Sequence, residues 1–226
     1  MPMNNQTTAR RFGLSGFALK LIAIIAMTCD HVGMLFYPQV WWLRVIGRLT
    51  MPIMAFMLVE GFRHTRNVKK YMLRMAVFAI MTAVPYYLAC KTPWNVLFTL
   101  LLGLCALWVW QQDWHVWLRV GAVAVLALAS AFCDWPVVGV VMILGFALVP
   151  AGWWKNVAVT GGSAVMAVTV QLASGSGVWS YVHIGLLGAA PLLSLYNGKR
   201  GWNAKYLFYV YYPLHLLVLW LMKTYI

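Results

Sequence analysis

The residues of this sequence best able to do chemistry stand inside its apolar runs. Residues 19–33 are hydrophobic almost throughout, yet they carry Asp30 and His31 side by side. An acid at a membrane helix centre costs roughly 2.5 to 3.5 kcal/mol on insertion scales, so such groups persist where they pair or line a polar cavity. The imidazole accepts and returns a proton near neutrality, which suits a general base acting on an amine or a hydroxyl. A structural polar clamp between two helices is the plainer role for the same pair, but a clamp does not require a titratable ring.

Two further residues can reach this pair. Arg48 lies in Val45-Ile46-Gly47-Arg48-Leu49-Thr50-Met51-Pro52, and His215 in Tyr211-Tyr212-Pro213-Leu214-His215. If the first apolar run goes outward from residue 17 and the second inward from 42, Asp30, His31 and Arg48 share a depth roughly 5 to 6 Å beyond the midplane. Gly47 would let the backbones approach, and Pro52 would open its helix nearby. Successive helical side chains point about 100° apart, so Asp30 does not simply orient His31; its expected partner is Arg48, or His215 across the bundle. His215 falls near the centre of the last run, with Tyr211 one turn earlier on its face. Either histidine could be the base. Asn95, Asp134 and His183 fall near span ends, where contact with headgroups and water is a simpler reading than a cavity mouth.

Two dense basic loops follow. One holds Glu60, Arg63, His64, Arg66, Lys69 and Lys70, and the other Lys199, Arg200 and Lys205. Positive-inside topology and contact with anionic lipid account for such loops without a ligand. The functional alternative is a phosphate-rich cofactor clamped by Arg and Lys, with Glu60 orienting an arginine.

These residues require elements that cross a bilayer. Apolar stretches recur at 17–37, 42–62, 69–90, 94–111, 115–133, 135–151, 153–173, 178–196 and 205–224, close to the length needed for ~30 Å of hydrocarbon. The expected fold is therefore all-α: a polytopic transmembrane bundle of about nine spanning helices over 17–226, preceded by a cytoplasmic tail over 1–16. Asp134-Trp135-Pro136 and Pro150-Ala151-Gly152 interrupt the short middle spans and could mark a broken or re-entrant helix. Loop charge places the N-terminus on the cytoplasmic side and the C-terminus outside. Trp41, Trp42, Trp94, Trp114 and Trp117 near span ends read as interfacial anchors.

Composition excludes other classes. Only 9% of the 226 residues are charged and 63% are hydrophobic, against roughly 25% charged in an ordinary soluble domain. The net charge of +13 sits mainly in short loops, so membrane lipids rather than nucleic acid are the expected partners. Cys29, Cys90, Cys105 and Cys133 show no C-x-x-C and no zinc-like spacing with histidine, predicting free thiols and no metal. Arg10-Arg11 before an apolar run imitates a signal peptide, but no A-x-A-like site follows, so the run reads as a retained first span.

Several motifs together resemble the TraX conjugal-transfer family. They are Asp30-His31-Val32-Gly33, Gly47-Arg48-Leu49-Thr50-Met51-Pro52, Val59-Glu60-Gly61-Phe62, His64-Thr65-Arg66-Asn67, Asn95-Val96-Leu97-Phe98-Thr99, Tyr196-Asn197-Gly198-Lys199-Arg200-Gly201 and Tyr212-Pro213-Leu214-His215. The resemblance implies a membrane acetyltransferase, since the family's named activity is N-terminal acetylation of pilin. It implies acetyl-CoA as donor and an amine or hydroxyl acceptor, for example a protein N-terminus. The basic loops would then hold the CoA phosphates, with His31 or His215 as base and Asp30 and Arg48 setting its position and charge. Direct transfer is favoured, because no cysteine or serine stands beside a histidine as a nucleophile. The competing class is a proton- or ion-coupled transporter using the same intramembrane polar cluster.

Overall fold

In hydrocarbon every backbone N–H and C=O must be paired within its own segment, which leaves helices as the way for these apolar runs to fold. The computed structural model describes residues 13–152, 154–175, 177–203 and 205–225, so most of the expected 1–16 tail lies outside the described residues. Among those described, the regular elements are all helical. They are α1 (Gly16–Leu35), α2 (Trp41–Gly47), α3 (Thr50–His64), α4 (Val68–Cys90), α5 (Val96–Trp110), α6 (Val116–Ala129), α7 (Val138–Leu148), α8 (Lys155–Ala173), α9 (Ala189–Ser194) and α10 (Lys205–Tyr225). Tighter 3₁₀ segments occupy Ser130–Phe132 and Gly177–Gly188. The chain is an all-α membrane helix bundle.

The expected spans correspond to these elements, but not all at full length. Among the described residues, α1, α2 with α3, α4, α8 and most of α10 are long and apolar enough to cross a membrane. The runs expected at 94–111, 115–133, 135–151 and 178–196 form shorter helices. The 11 residues of α7 rise only about 16 Å, roughly half the hydrocarbon thickness. Pro136 and Pro150, which cannot donate a helical hydrogen bond, bracket that helix. In the 178–196 run, Gly185 and Gly188 weaken the α-helix, and most of it winds as 3₁₀ before α9.

A break at Arg48-Leu49 separates α2 from α3 and sets the shape of the centre. Pro52 has no N–H for the Arg48 carbonyl, and its ring crowds that carbonyl. The chain tightens there: the Arg48 amide is shared between the Arg44 and Val45 carbonyls at 3.2 Å each, and Leu49 N–H reaches Ile46 at 3.1 Å. The opening expected at Pro52 thus appears one turn earlier, at Arg48 itself.

Small residues bring the other elements against this break. A Cβ on Gly47 would overlap the Asp30 side chain, and one on Gly185 would overlap the Val45 carbonyl. Lipid tails are as apolar as the side chains, so close backbone packing holds such a bundle more than hydrophobic burial does. The densest packing surrounds Met51, Ile53, Leu100, Leu104, Met142, Ile143 and Phe146, all essentially inaccessible. α6 buries none of its residues, and Trp117, Val125 and Leu128 face outward, as suits a lipid-facing helix.

α1 and α10 run in the same direction. Phe17 meets Phe208, Thr28 Oγ1 lies 2.7 Å from the Tyr211 hydroxyl, and His31 meets His215. The N-terminus of α1 is tied to the second basic loop, because Gly16 and Phe17 donate to the carbonyls of Lys199 and Arg200 at 2.8 and 2.9 Å. Ser15 Oγ accepts from Ala18 at 3.2 Å, so the first-turn donors of α1 are met by loop and cap.

The close approach at Gly47 gives a stability prediction. Gly47→Ala should destabilise the purified protein by roughly 1 to 3 kcal/mol, because the Asp30 side chain and two backbones must separate. Gly162→Ala, where a Cβ meets open space, should be neutral or slightly stabilising. Thermal unfolding in detergent checks both, and equal midpoints for the two variants would contradict the packing account.

Candidate functional site

Asp30 is the electrostatic centre of the bundle. Arg44 Nη1 lies 2.8 Å from Asp30 Oδ2 and also donates to the Asp30 carbonyl at 3.3 Å; Arg48 Nη2 lies 3.5 Å from Oδ1. The Asp30–Arg48 pair expected from depth is present, but Arg44 is the shorter contact. Arg44 was legible in principle, since it stands four residues before Arg48 and so on the same helical face. The Arg48 guanidinium also sits 5.4 Å from the Trp135 ring centroid, and its buried Nε has no hydrogen-bond partner among the described residues.

The two histidines meet each other rather than Asp30. His215 Nε2 and His31 Nδ1 are 3.0 Å apart, and His215 Nδ1 lies 3.0 Å from the Tyr211 carbonyl. A carbonyl only accepts, so His215 Nδ1 carries the proton of that bond. With both rings neutral, His215 Nε2 then accepts from His31 Nδ1–H, and the lone pair of His31 falls on Nε2. Tyr211 stacks on the His215 ring at 5.1 Å between centroids, fixing it from the side.

His31 lines a cavity of about 530 Å³, and His215 stands behind it. The cavity begins at Phe17, Lys20, His64, Arg74, Arg200, Trp202 and Phe208 and runs inward to Asp30, Arg48, Asp134 and Trp135. From Lys20 to His31 the rise along α1 is roughly 16 Å, so this is a deep slot. Its mouth interleaves cations with rings: Lys20 Nζ sits 5.5 Å from the Phe208 centroid, Arg74 lies 5.1 Å from Tyr71 and 5.8 Å from Tyr209, and Phe17 packs edge-on against Trp202. No cysteine or serine is among the described residues lining it.

The basic residues singled out by sequence divide. His64 and Arg200 line the mouth. Arg63 instead pairs with Glu60 at 3.0 Å and donates toward the carbonyls of Phe146 and Ala147. Glu60 thus holds an arginine, as expected, but turns it to the end of α7. Arg66, Lys69, Lys70 and Lys199 do not line the cavity, and the Lys205 side chain lies outside the described residues. Lys20 and Arg74 take their places. Both are single cations near the ends of apolar helices, outside the two dense basic loops.

A second cavity, also about 530 Å³, opens at the opposite end between Met34, Pro38, Val170, Gln171 and His183. Asp134 and His183, expected merely to meet water or headgroups, line it; His183 packs edge-on to Trp135 at 5.8 Å. Asn95 is structural: it caps α5 by accepting from Leu97 N–H at 3.0 Å and donates to the Ala79 carbonyl at 3.0 Å. The four cysteines are free thiols. Among the described residues no cluster of three His, Cys, Asp or Glu side chains is placed to hold a metal ion.

Comparison with known proteins agrees with the motif resemblance. The chain is 34% identical to the probable fimbrial assembly protein FimC, serogroup H1, of Dichelobacter nodosus, over 245 aligned positions covering 93% of this chain and 96% of the relative. It is 30% identical over 95 residues to an uncharacterised protein of Rickettsia prowazekii, covering 42% of this chain and 37% of that protein. No solved structure matches it significantly. The model of the TraX protein family matches residues 15–223, which include the break at Arg48, both histidines and the cation-lined mouth, and the chain belongs to that family.

Proposed function

We propose that this protein is an inner-membrane acetyltransferase that moves an acetyl group from acetyl-CoA to an amine or hydroxyl acceptor. The observation that carries the reading is the single slot joining a cationic, aromatic mouth to His31. Pockets of about 300 to 1,000 Å³ with few polar groups suit small-molecule and cofactor binding. The residues fit the donor: Lys20, Arg74 and Arg200 for the phosphates, Phe17, Trp202 and Phe208 for the base, and a methionine-rich shaft for the pantetheine arm. The basic mouth is read as the cytoplasmic side.

Bound acetyl-CoA would supply a thioester carbonyl open to attack by the acceptor. His31 Nε2 removes the proton from the acceptor nitrogen or oxygen as the new bond to the acetyl carbon forms, and returns it to the departing thiolate. His215 positions His31 by accepting from Nδ1–H and stabilises the proton as it arrives. Arg48, held by Asp30, places positive charge where the carbonyl oxygen becomes negative. The designation of the Dichelobacter nodosus relative makes a pilus-subunit N-terminus the first acceptor to assay. Two cavities on one axis also suit a proton- or ion-coupled transporter; solute flux through proteoliposomes without acetyl-CoA binding would replace the present reading.

The roles of the histidines predict different variants. His31→Ala should reduce kcat by about 100-fold or more, the range of general-base catalysis, with acetyl-CoA affinity unchanged. His215→Ala should lower kcat without raising KM for acetyl-CoA, and His215→Gln, which keeps an acceptor for His31 Nδ1–H, should recover part of the loss. Steady-state kinetics on purified protein checks this. Equal activity of His215→Ala and His215→Gln would remove the positioning role.

The mouth residues predict where binding resides. Arg74→Ala and Arg200→Ala should each weaken acetyl-CoA binding by about tenfold, as loss of a charged hydrogen bond does. Arg66→Ala and Lys69→Ala should leave it unchanged. Calorimetric titration in detergent decides, and no acetyl-CoA binding by the unaltered protein would sink the transferase reading.

A further inference from the structure

The two cavities open at opposite ends of the bundle and, among the described residues, share only Arg48, Asp134 and Trp135. These three side chains form the partition between them. Arg48 is committed to Asp30 and to the Trp135 face. Asp134 is not committed: it forms no ion pair within 4.0 Å among the described residues, whereas Asp30 and Glu60 are both held by arginines. Its amide donates to the Trp94 carbonyl at 3.0 Å, which fixes the backbone, and its side chain is accessible from the cavities it lines. The Tyr86 phenol is its hydrogen-bonding neighbour.

A carboxylate in a membrane interior is held by a cation or by hydrogen bonds. Here the Tyr86 phenol donates to it, and Arg48 and Arg44 act on it only from beyond ion-pair distance, so its open side, toward the cavities, has no cation in contact among the described residues. We propose that the cavity opposite the basic mouth is the acceptor site, and that Asp134 holds the acceptor's primary ammonium there. The acceptor would approach from the end of the bundle opposite the donor. His183 and Gln171 supply the remaining polar lining, and Met34, Pro38, Val138 and Val170 the apolar wall. Donor and acceptor then occupy separate volumes and meet only at the partition: the ammonium first gives one proton to the Asp134 carboxylate, and the neutral amine so formed attacks there while His31 takes the second. The role of the site in catalysis rests on the acetyltransferase reading, but its capacity to bind an amine does not.

The test uses the full-length protein in detergent and a dye-linked aminohexyl probe, followed by fluorescence polarisation. The amine should bind, and its N-acetylated form should not. Asp134→Asn should weaken binding about tenfold or more, since it removes a charged partner without changing shape. Val170→Trp and Gln171→Trp, which fill the outer cavity, should weaken it likewise, while Met54→Trp in the donor slot should leave it unchanged. The proposal is overturned if the probe does not bind, if its acetylated form binds equally, if Asp134→Asn leaves binding intact, if both outer-cavity variants do so, or if Met54→Trp alone removes it. Acetyl-CoA binding, measured on the same samples, should fall with Met54→Trp only. Its absence from the unaltered protein would remove the transferase reading while the amine site stood or fell on the probe.

Discussion

The structure depends on one carboxylate in hydrocarbon, Asp30, and on the two arginines that make it tolerable. Arg44 and Arg48 approach it from one side of α2 at 2.8 and 3.5 Å, and only Gly47 on that helix leaves room for them to do so. The other features are arranged around this pairing. Pro52 breaks the helix at Arg48, Gly185 and Gly188 let the 177–188 segment pack onto the break, and Thr50 donates to the Ala23 carbonyl at 3.1 Å to hold α3 against α1. Removing one partner would strand charge in a low-dielectric interior, which is far costlier than never having placed it there. On the proposed transferase reading the cluster is both clamp and chemistry, and the two readings of Asp30 and His31 are parts of one arrangement: Asp30 with its arginines clamps α1 to α2, and His31, one position on, is left to face the slot.

That division also separates the histidines. Sequence places both near one depth and can go no further, because depth says nothing about which imidazole lies in front. The packing of α10 parallel to α1 decides it, with Tyr211 occupying both His215 Nδ1, through its carbonyl, and the His215 ring face. A residue whose donor and flank are both taken is suited to position a neighbour. His31, with one nitrogen engaged and no hydrogen-bond partner for the other among the described residues, is suited to act.

The fold class, the places of the apolar segments and the Asp30–Arg48 contact were legible because they follow from length, period and the cost of buried charge. Segment length was less legible: α7 and the 178–196 run are apolar enough to count as spans, and only their prolines and glycines hint that they stop short. The mouth was the least legible part. Loop charge density pointed to Arg63, Arg66, Lys69 and Lys70, yet a loop lysine and a slot-lining lysine look alike in sequence, and the structure selects Lys20 and Arg74 by the rings that flank them. Asp134 was undervalued for the opposite reason. It lies between two apolar runs, where an acid normally meets water, and its turn folds inward through the bond from its amide to Trp94.

The lining of the slot bears on how a large donor could come and go without disturbing the charged centre. Met27, Met51, Met54, Met57 and Met75 all face it. Thioether side chains are unbranched and polarizable, so they re-pack around an occupant at little cost. The partition is built differently, from a guanidinium fixed on an indole and a carboxylate anchored through its backbone. In the proposed transferase, a compliant shaft ending on a wall held at Arg48 would let binding energy act on the arm while the reacting groups keep their geometry, which is what preorganised electrostatic stabilisation requires. A passage built to conduct a solute would gain from compliance at the constriction instead, and there Arg48 is held by Asp30 and the Trp135 ring.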